Sequence, residues 1–366
     1  MKSRLTNKAT LVNQLDIDMV LLNWYDENAR TLSWRVAPRD SKMGVKPDPY
    51  RVWLSEIMLQ QTGVKVVEPY FQKFVRKWPK IHDLHKATET AVLAAWSGLG
   101  YYRRARNLKA CAEILCTKYQ GNFPQEESLL LKLPGIGKYT SAAILTIAFG
   151  IPAIVVDGNI ERIVARLFNL QDRLEKLKPQ IYKQVSSFSP KFRPGDFAQA
   201  MMDLGATVCK PKNPLCTKCP IQNFCNAFDK GNTAIIPKKA KKKIRILRKG
   251  YVYIGLTKTK KIAMVVRPNN GLLGGMTCPP SSDWKTNNFP TNIPPISGSW
   301  IMLDQTVKHT FTHFDLELKI LFSHISDIPE NYISKTLNQS LITSTPTVMR
   351  KAILAAVNFE KSNVVW

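Results

Sequence analysis

The sequence predicts two domains of different class: a mostly α-helical domain over 1–228 and a smaller α+β domain over 249–366, joined by a basic linker at 229–248. Three observations carry this. A chain of 366 residues is too long for one ordinary core. Apolar residues recur at helical spacing through the first 228 residues, with short loops of Gly, Pro or Asn between them. After residue 229 the pattern changes to a cationic run and then to alternating, β-branched segments.

Taken in order, the helical stretches are "YRVWLSEIMLQQ", "ATETAVLAAWSGL", "RRARNLKACAEILCTKY", "GKYTSAAILTIAF" and "IERIVARLF". Cys111 and Cys116 lie within the third and read as packed thiols. "SAAILTIAFGIPAIVV" (141–156) is broken by Gly150 and Pro152 and is too short for a bilayer, so a buried helix followed by an extended run is expected. The linker carries "KKAKKKIRILRK" (238–249), eight cations in twelve residues. A solvated coil and a segment lying along a phosphate backbone both suit it. "YVYIGLTKTKKIAMVVRP" reads as a hairpin, and "HTFTHFDLELKILFSHI" as further strand. The first thirty residues lack a continuous apolar run and a small-residue cleavage site, which predicts an intracellular, cytoplasmic protein.

Lys and Arg number 53 against 27 Asp and Glu, a formal charge of +26. An excess of this size predicts a polyanionic partner, nucleic acid before an anionic membrane surface.

Several motifs could carry chemistry. "LPGIGKYT" (133–140) places two glycines before a helix, a turn that lets backbone N–H groups approach a phosphate, or a plain turn between helices. In "VDGNIERIVARLF", Asp157 or Asn159 could cap the helix, leaving the other for different work. Glu56 lies among Trp53, Leu54, Ile57 and Met58; facing an enclosed cleft, it would keep its proton near neutral pH. "CKPKNPLCTKCPIQNFC" (209–225) sets Cys209, Cys216, Cys219 and Cys225 as Cys-x6-Cys-x2-Cys-x5-Cys. Spacing alone leaves zinc and an iron–sulfur cluster equally open. The odd cysteine count argues against a disulfide framework.

In this order, "SEIMLQQT", "GLGYYRRARNL", "LPGIGKYT", "VDGNIERI" and the cysteine spacing closely resemble the MutY family of adenine DNA glycosylases, within the helix-hairpin-helix superfamily. The resemblance extends over essentially the whole chain. It implies a helix-hairpin-helix catalytic domain with a [4Fe–4S] cluster on the four cysteines, and a Nudix-like domain that reads 8-oxoguanine. It further implies Glu56 as general acid, Asp157 as catalytic carboxylate, and Tyr139 and Asn159 beside them. Gly135, Gly137 and Lys138 would grip a phosphate, and Gln61, Thr62, Leu99 and Tyr101 would enter the duplex. Arg30, Trp34, Arg35, Leu59 and Asp203 would surround the flipped base. Phe311, Thr312 and His313 would read 8-oxoguanine. The cluster would brace the loop carrying Lys210 and Lys212 against DNA.

The implied activity is hydrolysis of the bond to adenine opposite 8-oxoguanine or guanine, in double-stranded DNA, by a monomer without lyase chemistry. A lysine at position 139 would support strand cleavage, as in endonuclease III-like relatives; a phenol cannot form that Schiff base. The alternatives are such a bifunctional enzyme and a non-catalytic iron–sulfur DNA-binding protein. Two departures stand out: "LSWR" has Ser33 for proline, which questions the rigidity of that turn, and Cys278 replaces an expected acid. No run of glutamates suits a catalytic metal in the second domain.

Overall fold

The computed structural model describes residues 14–238, 244–268 and 271–363. Residues 239–243, the centre of the expected linker, and the N-terminal 1–13 lie outside the described residues. The chain divides into two compact units, one of 1–86 with 107–241 and one of 87–106 with 242–366.

The first unit is helical. Pro49–Leu59 starts where Asp48 accepts a hydrogen bond from Tyr50 N at 2.9 Å and Pro49 supplies a preset φ. Val52 through Met58 are all buried, so this helix runs through the interior and carries Glu56 with it. Its neighbour Gly158–Leu167 is amphipathic, burying Ile160, Ile163, Val164 and Leu167 against Leu21, Phe197 and Met201. Truncating one such side chain to alanine costs about 2–5 kcal/mol. Lys138–Ala143 continues as a π-helical turn over Ile144–Ala148. Pro194–Thr207 crosses that turn closely: a Cβ on Gly195 would fall 2.7 Å from the Thr146 carbonyl oxygen. Residues 151–156, expected as an extended run, join no helix or sheet and bury Val155 and Val156.

The second unit is a sheet with helices. Its strands are β1 (Ile246–Leu256), β2 (Lys261–Val266), β3 (Thr277–Cys278), β4 (Lys285–Thr286), β5 (Ile301–Thr310), β6 (Phe314–His324) and β7 (Ile333–Thr336). The order is β3-β2-β1-β6-β5, with β4 against β1 and β7 against β2. The β1–β2 hairpin matches its sequence pattern. β1 and β6 pair in parallel from Ile246↔Phe314 to Leu256↔His324, whereas the other pairs are antiparallel. The helix Thr347–Asn363 buries Val348, Met349, Ala352, Ile353 and Ala356 at helical spacing. Cys278 is a fully buried β3 residue opposite Val265, a packing position.

Residues 87–106, expected within the helical domain, pack in this second unit. Ser97 Oγ donates to the Thr343 carbonyl at 2.7 Å, Arg350 reaches the same carbonyl at 2.9 Å, and Arg106 donates to the Gly274 carbonyl. No helix among the described residues is long and apolar enough to cross a membrane.

Candidate active site and cysteine loop

A cavity of about 450 Å³ opens into the first unit, and its wall includes Glu56, Tyr139, Asp157 and Asn159. Arg30, Trp34, Arg35, Leu59, Gln61 and Thr62 also line it. Ten residues that the sequence nominated separately therefore meet around one space.

Glu56 is 6% exposed. Burial pushes its carboxyl up to about 7; a hydrogen bond from the Tyr139 hydroxyl pulls the other way, and nearby Asp157 raises it further. Burial, together with Glu56 and Asp157, holds the Tyr139 hydroxyl well above the usual phenol range, so it stays a donor.

Asp157 is the cap of Gly158–Leu167. Its Oδ1 accepts from Asn159 N at 2.9 Å and Ile160 N at 2.8 Å, while Oδ2 accepts from Asn159 Nδ2 at 2.8 Å. Capping and facing the cavity are thus one job for one residue, and Asn159 is its partner rather than its rival. Three N–H donors at the helix N-terminus thus hold the Asp157 carboxyl in place. Asn159 is oriented in turn by Arg162, whose Nη2 donates to Asn159 Oδ1 and to the Gly205 carbonyl, both at 2.8 Å. Gly205 leaves the room this needs: a Cβ there would lie 2.5 Å from Asn159 Cβ.

Asp203 is fully buried and does not line the cavity. It clamps two residues that do: Arg30 through N at 2.8 Å and Nε at 2.7 Å, and Arg35 through Nη1 at 2.8 Å to both oxygens. Trp34 is held edge-on to Phe71 with ring centroids 5.2 Å apart. Ser33, in place of proline, donates to Glu68 from both its hydroxyl and its amide, so hydrogen bonds fix the turn. Gln199 is 4% exposed, lines the same cavity, and was not anticipated.

Gly135 takes φ +81°, and a Cβ there would meet Asn107 Cβ at 2.9 Å, so this turn needs glycine twice over. Gly137 begins the helix Lys138–Ala143 and opens on free space; Lys138 is exposed. No lysine is among the residues lining the cavity. Gln61 adopts φ +57°, and Tyr101 in the second unit φ +50°, a conformation costly for side chains of this kind. Leu99 is buried in the second unit, and Tyr101 is half exposed. Phe311, Thr312 and His313 form the turn between β5 and β6, closed by Phe311 N donating to Phe314 O at 2.9 Å. The Tyr101 hydroxyl hydrogen-bonds with that of Thr312.

The four cysteines are free thiols around a small separate cavity that Arg166 also lines. Arg166 donates to Cys209 Sγ at 3.3 Å and to the Lys210 carbonyl at 2.8 Å; Arg162 Nε donates to the Cys209 carbonyl at 2.8 Å. Burial first, then the neighbouring sulfurs, push Cys219 up to about 12, and Cys225 upward too. Four crowded, part-buried thiols, with Arg166 beside Cys209 and Cys225, form a donor set that a cationic centre would stabilise as thiolates. No three His, Cys, Asp or Glu among the described residues are disposed to hold one metal ion.

Residues 54–190 match the HhH-GPD superfamily base excision DNA repair proteins, and residues 251–355 match the NUDIX domain. The chain is 33% identical over 355 residues to an adenine DNA glycosylase of Buchnera aphidicola subsp. Baizongia pistaciae, covering 93% of this chain and 96% of that one. It is 41% identical over 210 residues to the adenine DNA glycosylase of Homo sapiens, covering 57% of this chain and 38% of that one. Among solved structures, a thermostable thymine-DNA glycosylase superposes with a TM-score of 0.52 at 27% identity, over 59% of this chain and 97% of its own. On the strength of a relative matched from end to end, this chain belongs to the MutY family of adenine DNA glycosylases.

Proposed function

We propose that this protein excises adenine paired with 8-oxoguanine, or with guanine, from double-stranded DNA, and that it does so by hydrolysis without strand cleavage. The observation that carries the reading is the pair of carboxyl groups in one cavity: Glu56 buried and proton-retaining, Asp157 capped by N–H donors. That is the division of labour needed to break a glycosidic bond through an oxocarbenium-like state.

Adenine must leave the base stack to reach such a cavity, and space of this size suits one flipped base. Glu56 gives its proton to the base as the bond from sugar C1′ breaks, so the bonding pair departs on neutral adenine. Asp157 stabilises the positive sugar that remains. Water then bonds to C1′ and returns a proton to Glu56, leaving free adenine and an abasic sugar. Tyr139 orients Glu56 throughout. Arg30 and Arg35, fixed by Asp203, hold the wall against which the base rests. Phe311, Thr312 and His313 are assigned to reading the opposite base, with Gly135, Gly137, Lys138, Gln61, Thr62, Leu99 and Tyr101 on the duplex.

Lyase chemistry would need an amine at the sugar. Lys138 diverges from Tyr139 by about 100° around the helix, and no lysine is among the residues lining the cavity, which supports the hydrolytic reading. The donor set at Cys209, Cys216, Cys219 and Cys225 fits a [4Fe–4S] cluster. Hydrolysis moves no net electrons, so the role assigned to the group when bound is to brace the loop carrying Lys210 and Lys212.

A single-turnover assay on a duplex with one A·8-oxoguanine pair tests this. Breaks appearing only after alkali, with no borohydride-trapped adduct, are expected. Direct breaks with efficient trapping would overturn the hydrolytic reading and implicate Lys138.

A further inference from the structure

β1 has a notch in its middle. Gly250 lies within the strand, where a Cβ would come 2.7 Å from Trp284 Cδ1 and 3.1 Å from the Asp283 carbonyl oxygen. Glycine weakens a strand, so its presence here marks a close approach. The segment that fills the notch is tied down by a reciprocal pair of bonds: Tyr251 N donates to Ser282 Oγ at 2.9 Å, and Ser282 N to the Tyr251 carbonyl at 3.0 Å.

Trp284 is thereby fixed to the sheet, and two groups lie against its ring. The Arg267 guanidinium lies 5.0 Å from the ring centroid, with Nη1 anchored on Ser281 Oγ at 3.0 Å. The Phe311 ring stacks on the indole, with centroids 6.2 Å apart and planes 25° from parallel. Phe311 also meets Phe314 at 4.9 Å and the edge of His309 at 4.6 Å, and Arg248 covers Phe314 at 4.5 Å. The indole Nε1 has no hydrogen-bond partner among the described residues although it is buried, a cost a site accepts only for the ring itself.

We infer that Trp284, seated in the Gly250 notch and covered by Arg267, is a positioning residue that holds the Phe311–Thr312–His313 turn ready to read the opposite base. Its contribution is to specificity: it sets how strongly 8-oxoguanine is preferred over guanine opposite the adenine. The inference rests on the proposed reading of that turn. An exposed turn of three residues has many conformations, and a ring held on one side of Phe311 removes most of them before DNA arrives.

The test compares single-turnover adenine release from A·8-oxoguanine and A·G duplexes for the wild type, Phe311→Ala, Trp284→Leu, Trp284→Phe and Arg267→Met. The preference for 8-oxoguanine is expected to fall about tenfold in Trp284→Leu and to be largely restored in Trp284→Phe. Adding Trp284→Leu to Phe311→Ala should lower it no further, because both act through one ring. An unchanged preference in Trp284→Leu, with a lowered one in Phe311→Ala, overturns the inference and leaves the reading of the turn intact. An unchanged preference in Phe311→Ala overturns both. Should Trp284→Leu melt early, Arg267→Met decides: a loss of about threefold supports the platform, and no loss overturns it.

Discussion

Glu56 is the residue on which chemistry and stability meet. In the proposed mechanism its proton goes to the departing base, so Glu56→Gln should lower single-turnover excision by about 10²–10⁴-fold, while binding to a mispaired duplex persists. The same burial that readies the acid makes its ionised form costly. With a titration near 7 in the fold against 4.5 for an ordinary glutamate, the native state binds the proton more tightly than the unfolded chain. The associated stability is full below about 4.5 and is lost as pH rises to about 7, at about 1.4 kcal/mol per pH unit. Glu56→Gln avoids that loss. Its stability in urea, relative to the wild type, should rise by on the order of 3 kcal/mol between about pH 5 and pH 8. A constant difference across that range would show that the carboxyl is not held protonated by the fold.

Helix Gly158–Leu167 turns a sequence motif into geometry, and its neighbour Pro194–Thr207 decides whether that geometry holds. Gly205→Ala would press a methyl group against Asn159, displacing the amide that meets Asp157 Oδ2. Excision should slow about tenfold or more, with duplex affinity kept, as single-turnover rates and a binding titration would reveal. Loss of affinity with an unchanged rate would contradict this. Asp157, Asn159, Glu56 and Tyr139 each sit in a short motif whose local pattern survives folding, and the structure brings all four to the wall of one cavity. Arg162, Gly205 and Gln199 were not anticipated, because their roles exist only once two helices cross, and nothing in a local window records that crossing. Asp203, expected beside the base, instead clamps Arg30 and Arg35 from behind the cavity wall, a placement that no local pattern records. The parallel pairing of β1 with β6 was likewise invisible, since hairpin patterns speak only for neighbours in sequence. Nor did the helical pattern of 87–106 say which unit it would join.

Across the whole molecule, a charge of +26 on a DNA-directed enzyme should make binding strongly salt-dependent. With four phosphate contacts, affinity falls on the order of 100-fold from about 50 to about 200 mM salt. Fluorescence anisotropy on a labelled duplex measures this, and a flat response would remove the counterion-release account of the charge. Charge and composition placed the partner, and the change of pattern near residue 229 placed the second domain; neither could name the reaction. The proposed reaction rests on the two carboxyl groups, Glu56 and Asp157, that line a single cavity. The most direct measurement is the single-turnover rate of adenine release from an A·8-oxoguanine duplex, followed from about pH 6 to about pH 9. The rate should hold level on the acid side of about 7 and then drop tenfold per pH unit as Glu56 loses its proton. A rate that stays level to the top of the range would contradict Glu56 as the proton donor.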